Sequence, residues 1–106
     1  MKTSPPTHSI SVPPNVRFDT RLSASAKLLY GEIAHLSQEQ GFCSQNDHYF
    51  AKLYQVTIKT ANAWVARLQE AGYLRVRYDA SGQQRLLYPE ALSQEAANPN
   101  QLTFLS

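Results

Sequence analysis

The seventeen residues 56–72, VTIKTANAWVARLQEAG, constrain this chain more than any other segment. They read as one helix with both ends marked. The Thr57 hydroxyl can accept from an unpaired first-turn N–H, which makes it an N-cap. Gly72 suits the C′ position, where the backbone turns left-handed. Ala61, Trp64, Val65 and Leu68 follow the i, i+3, i+4, i+7 rule and form one apolar stripe. At 100° per residue, Lys59, Ala63, Ala66 and Glu70 point the other way. Thr60 and Arg67 lie on one flank, and Asn62 and Gln69 on the other. A solvated face is usually richer in Glu and Lys. Threonine, lysine, asparagine and small alanine suit a helix that lies against something polar, such as a DNA groove.

Beyond Gly72 the hydropathy period changes from 3.6 to 2. Residues 73–78, YLRVRY, alternate and are strand formers; residues 79–82, DASG, are turn chemistry. Residues 83–88 return as a second strand, stopped by Pro89. The register is ambiguous by one residue, so pattern alone leaves the buried face of this hairpin open. Upstream, Ser23 caps a helix over residues 24–38 with Ala26, Leu29, Tyr30, Ile33 and Leu36 as its stripe, and Gly41 follows as its C′ residue. Residues 42–44 are a possible small strand. Asn46 caps a short helix, 47–54, that buries Phe50 and Leu53. The tight Gln55-Val56 connection then makes 47–72 a helix-turn-helix pattern. Val16, Phe18 and Leu22 in the lead-in are available for burial. The fold class is therefore mainly α with a small β-hairpin: a winged helix-turn-helix, with a three-helix core plus wing.

Length supports one such domain with tails. We divide the chain into a flexible Pro-rich arm at 1–14, the winged helix-turn-helix at 15–89 and a polar C-terminal tail at 90–106. Net charge is only +2, but it is unevenly placed. Residues 57–88 carry Lys59, Arg67, Arg75, Arg77 and Arg85 against Glu70 and Asp79 alone. The one cysteine, Cys43, cannot form an internal disulfide and reads as a small buried residue in a reducing compartment. No apolar run approaches a membrane span or signal core, so the expected location is the cytoplasm.

Catalytic chemistry has little to work with. His8, His35 and His48 are scattered, with no ligand-like spacing to Cys43 or to carboxylates. There is no Gly-x-Ser-x-Gly elbow and no Gly-rich phosphate loop. The expectation is a protein that is not an enzyme, with no cofactor and no metal. Binding of double-stranded DNA is better supplied. Thr57 and Thr60 can donate to phosphates at the helix start. Lys59 reaches a phosphate or a guanine edge, Asn62 pairs bidentately with adenine, and Arg67 reaches guanine or the backbone. Ala63 can touch a thymine methyl. Arg75, Arg77 and Arg85 are candidate backbone or minor-groove contacts; the same charges would also keep an edge strand soluble. Trp64 and the tyrosines read as packing residues with polar tips.

These residues also carry a resemblance. Residues 12–16, VPPNV, and 21–33, RLSASAKLLYGEI, resemble an "I-P-N-x-V…L-S-x-x-A-K-L-L-Y-G-E-I" opening. Gly41-Phe42-Cys43, Asn46, Tyr49-Phe50-Ala51 and Leu53 to Thr57 resemble "G-Y-C…N-x-Y-F-A-x-L-Y-x-V-S". Thr60, Trp64, Leu68 and Gly72-Tyr73-Leu74 resemble "T-V-x-R-W-L-x-x-L…G-Y-I". Over about residues 10–78 the chain is similar to the N-terminal winged helix-turn-helix domain of bacterial plasmid replication initiators and phage replisome organisers. The resemblance implies sequence-specific binding to repeated origin sites, often as a homodimer, ahead of recruiting host replication proteins. It departs at Ile58 and Ala63, where such proteins commonly carry basic residues; readout then rests on Thr57, Lys59, Thr60, Asn62 and Arg67. Their usual second domain has no counterpart in this sequence, so the chain is expected to be either the DNA-binding fragment of a longer initiator or a module standing alone. Two other uses of the fold stay open at this point: a winged helix used for protein–protein interaction, and a small transcriptional repressor of a mobile element. Residues 8–18, Trp64 and residues 102–105, LTFL, are candidate dimer contacts.

Overall fold

Three side-chain caps start the three long helices. The structure, a computed structural model, describes residues 10–90. In it Ser23 accepts from the Ala26 N–H at the head of α2 (Ala24–Leu36), and Asn46 accepts from the Tyr49 N–H at the head of α3 (Asp47–Tyr54). Thr57 accepts from the Thr60 N–H at the head of α4 (Ile58–Glu70). Each bond satisfies a donor that the first helical turn leaves without a backbone partner. A single turn, α1 (Pro14–Arg17), precedes them, with proline where no N–H is needed. The chain closes with a hairpin, β1 (Leu74–Tyr78) and β2 (Arg85–Pro89). This is a winged helix-turn-helix: three helices pack into a core and the antiparallel hairpin follows the last of them.

The end of α4 is built as the sequence indicates. Gly72 has φ +88°, the Tyr73 N–H reaches the Leu68 carbonyl, and the Gly72 N–H reaches that of Gln69. Those two bonds are the Schellman pair, and the buried Leu68 and Tyr73 side chains supply its apolar contact. The core gathers Leu29, Tyr30 and Ile33 from α2, Phe50 and Ala51 from α3, and Ala61, Val65 and Leu68 from α4. Val16 and Leu22 close one side, and Leu74 and Leu87 of the hairpin close another. The register pairs Leu74 with Pro89, Val76 with Leu87 and Tyr78 with Arg85. Leu74, Val76 and Leu87 therefore face the helices, while Arg75 and Arg77 lie on the opposite face, across from Tyr88 and Leu86.

Five sequence expectations shift. α2 stops at Leu36, because Ser37 turns its hydroxyl back onto the Ile33 carbonyl (2.7 Å) and its N–H onto Ala34. The strand expected over 42–44 shrinks to one residue, Cys43, which exchanges both backbone bonds with Leu87. β2 begins at Arg85, not 83, because the Asp79 carboxylate holds the Gln83 and Gln84 N–H groups in the turn. It also runs through Pro89: the ladder's next bond is donated by Glu90 to Tyr73, so the proline's missing N–H costs nothing. Phe18, expected to be available for burial, is 70% exposed, with the Arg17 guanidinium 5.5 Å from its ring centre.

Of the segment read as a Pro-rich arm, residues 10–12 lie against α2. A side chain at Gly31 would meet Ile10 at 3.0 Å and the Ser11 carbonyl at 3.3 Å, so glycine allows this approach. The expectations placed on residues 1–9 and 91–106, including the 102–105 contact, lie outside the described residues.

Tyr73 ties the hairpin to the lead-in. Its hydroxyl donates to Asp19 Oδ2 (2.7 Å) and lies 3.0 Å from the Asn15 carbonyl, while its ring packs edge-on to Tyr30. Asp19 is also clasped by the Arg21 guanidinium and its backbone N–H. The Arg21 side chain first, then the Tyr73 hydroxyl, hold the Asp19 carboxyl well below the usual carboxylate range, against the cost of burial. A depressed folded-state value means that the stabilisation is complete above the ordinary value of 3.8 and is lost as pH falls below it. Urea midpoints of the parent and of Asp19→Asn should therefore differ near pH 7 and converge on acidification. A gap that widened toward low pH would contradict this.

Candidate functional site

The three residues between α3 and α4 set the geometry of the helix pair. Gln55 takes the left-handed conformation (φ 58°, ψ 49°), and the Val56 N–H reaches back to Ala51. The shortness of this connection is legible in the sequence, but no glycine or asparagine marks Gln55 as its left-handed residue. The apolar side of α4 then packs inward through Ala61, Val65 and Leu68. Trp64, half-buried, sits edge-on to Tyr54 with ring centres 5.9 Å apart, which makes it a packing residue of the domain. Burial pushes the Tyr54 hydroxyl up to about 12 and raises the Cys43 thiol above its ordinary range. A buried thiol with a raised value is a weak nucleophile.

The outward side of α4 presents Ile58, Lys59, Asn62, Ala63 and Arg67 to solvent. Lys59 has no partner among the described residues. Arg67 has only a loose pair with Glu70 at 3.4 Å, both ends well exposed, which contributes little in water. Thr57 donates its hydroxyl to Thr60 Oγ1 (2.9 Å), and the hydroxyl of half-buried Thr60 keeps a proton to give. The face is thus short at its N-terminal end, cationic along its length, and free of covering side chains.

The wing arginines divide. Arg77 is exposed and unpaired among the described residues. Arg75 stacks its guanidinium 5.3 Å from the Tyr88 ring centre and pairs with Glu90 at 2.9 Å. Arg85 is turned inward. Its Nη2 lies 2.7 Å from Asp47 Oδ1, and each side chain is only 15% exposed. The contact is one of charge more than of alignment, since Asp47 Oδ1 and Arg85 Nε have no aligned hydrogen bond. Arg85 therefore anchors the wing to the start of α3, its side chain engaged by Asp47 where the sequence offered it as a free cation for the DNA backbone. The alternation placed it on the same strand as a free cation would be; the partner that claims it lies 38 residues away in sequence.

Asp47 also holds Asn62: its Oδ2 accepts from Asn62 Nδ2 at 2.7 Å. One carboxylate thus joins the head of α3, the middle of α4 and the wing. The sequence reading missed it, because an acidic residue in a first helical turn looks like ordinary dipole compensation.

Of the nine residues singled out from sequence, Thr57, Lys59, Thr60, Asn62, Ala63 and Arg67 share one helix face or its flanks. Arg77 stands apart on the wing, and Arg75 and Arg85 are engaged by neighbours. Among the described residues no three His, Cys, Asp or Glu side chains gather as metal ligands would, and no helix is long and apolar enough to cross a membrane. Residues 20–74, just over half of the chain, match a family model described as a helix-turn-helix domain. Searches of the curated proteins and of the solved structures return no match.

Proposed function

Because this chain belongs to the helix-turn-helix domain family, we propose that it is a sequence-specific double-stranded DNA-binding module, with α4 in the major groove and the wing beside the phosphate backbone. The uncovered face of α4 carries this reading. Lys59 and Arg67 supply charge, Thr57 and Thr60 supply hydroxyls at the helix start, and Asn62 supplies an amide able to match adenine. Ile58, half-exposed, and Ala63 offer methyl groups to thymine. Arg77 is the wing's cation for the backbone. The role is one of binding, not of catalysis.

The resemblance to plasmid replication initiators and phage replisome organisers supports a finer reading: recognition of repeated origin sites by a homodimer that then engages host replication proteins. Residues 15–89 would form the binding domain, within the cytoplasm.

Selection of bound duplexes from a random library tests the function and returns the site together. Binding should weaken steeply with salt. Lys59→Ala, Asn62→Ala and Arg67→Ala should each cost about 1–3 kcal/mol on the selected site, and a lost phosphate contact should reduce the salt slope by about one. If all three variants bind as the parent does, α4 is not the reader.

A further inference from the structure

Given the DNA reading above, on which this inference rests, we propose that Asp47 is a positioning residue that fixes the amide of Asn62 for reading one adenine. The observation is the 2.7 Å bond from Asn62 Nδ2 to Asp47 Oδ2 on an otherwise exposed helix face. An ionised carboxylate only accepts, so only the NH2 end of the amide can face it. The Asn62 side chain is thereby held one way round. Its second N–H and its Oδ1 stay available and have no partner among the described residues. With Asp47 taking the amide hydrogen that points away from Oδ1, the other N–H and Oδ1 form a donor and an acceptor side by side, the complement of adenine N7 and N6 in the major groove. Guanine offers two acceptors there, and Oδ1 against guanine O6 is repulsive. A free amide would rotate, present either edge, and lose rotamer freedom on binding.

Placing a carboxylate beside a DNA-facing helix would ordinarily repel phosphates. Arg85 removes that objection. Its guanidinium lies against the other oxygen of Asp47, so the pair is close to neutral. Asp47 therefore orients the reader, and Arg85 both compensates the charge and fixes the wing to the same point. A bond that served only to staple α3 to α4 would affect stability and every base position alike, which the test below separates from positioning.

The test is duplex selection from a random library with the full chain, run on the parent, Asn62→Ala, Asp47→Ala, Arg85→Met and the Asp47→Ala/Arg85→Met double variant. The double variant removes the charge pair as a unit and keeps the comparison usable should Asp47→Ala fold poorly. The parent should prefer adenine at one position by about tenfold. Asn62→Ala and the double variant should flatten that same position to within about twofold, Arg85→Met should retain it, and affinity for random duplex should change little between the parent and the double variant, both of which are close to neutral at this point. Retention of the adenine preference by the double variant, or a proportional loss at all positions, overturns the role of Asp47 while leaving DNA binding intact. So does a parent whose site has no position that depends on Asn62. A parent that binds no duplex at low salt overturns the functional reading as well.

Discussion

Phe50→Ala is expected to destabilise the domain by about 3–5 kcal/mol, the cost of truncating a fully buried aromatic side chain. Phe50 is 0% exposed, at the centre of α3, where that helix meets α4. It packs edge-on to Tyr49, with ring centres 5.4 Å apart and planes at 80°. An edge-to-face pair of this kind contributes about 0.5–1.5 kcal/mol beyond the area it buries. The site also cannot collapse easily: the capped start of α3 at Asn46 and the Gln55 turn hold the helix at both ends. A domain of this size has a total stability near the low end of about 5–15 kcal/mol, so the loss should leave it partly unfolded at 25 °C. Trp64 of α4 reports directly, since its ring packs edge-on to Tyr54 at the end of α3. Urea unfolding followed by tryptophan fluorescence should show a midpoint shifted far toward water. A loss below about 1 kcal/mol would mean that α3 does not pack as described.

The second large effect is expected at Asp47. Removing one member of a buried ion pair costs about 3–5 kcal/mol, because the other charge is left unsolvated. Here both side chains retain 15% exposure, so about 2–3 kcal/mol is the expectation for Asp47→Ala. That variant leaves the Arg85 guanidinium with no counter-charge and only a long bond to the Gln45 carbonyl (3.4 Å), its Nε already lacking a hydrogen bond, and frees Asn62. Arg85→Met should cost less: the methionine fills the same space, and Asp47 keeps Asn62 and its favourable position in the first turn of α3. The double variant Asp47→Ala/Arg85→Met should be more stable than Asp47→Ala alone, since no uncompensated charge remains. Thermal or urea unfolding of the four proteins closes the cycle. If Arg85→Met proves the more damaging single change, or if the double variant is worse than Asp47→Ala, the charge pair is not what holds the wing.

These two sites differ in how visible they are in the sequence. Phe50 lies on a helix whose cap and apolar spacing can be read from eight residues. Asp47 sits in the same eight, yet its partners are at 62 and 85, and nothing local points to either. The exposed members of the candidate interface behave like Phe50. Lys59, Asn62, Ala63 and Arg67 follow from the 100° step once the buried stripe of α4 is known. The wing behaves like Asp47: the alternation from Tyr73 to Tyr78 marks a strand, but only docking against the helices decides that Val76 and Leu87 face in. Which arginines remain free follows from that choice. Arg85 falls on the inner face beside Asp47, and Arg75 on the outer face within reach of Tyr88 and Glu90.

The focal helix shows the division most plainly. Its start at Thr57, its end at Gly72, its buried stripe and the change to a strand period behind it are all written locally, because capping and periodicity act within one or two turns. Sequence therefore determined the order of the three long helices and the hairpin, the winged helix-turn-helix class and the outward face of α4. Tertiary structure decided the left-handed turn at Gln55, the register of the wing, the inward turn of Arg85 and the hold of Asp47 on Asn62. Each of those depends on groups brought together across tens of residues, where charge, burial and hydrogen-bond direction are set by packing and not by neighbours in the chain.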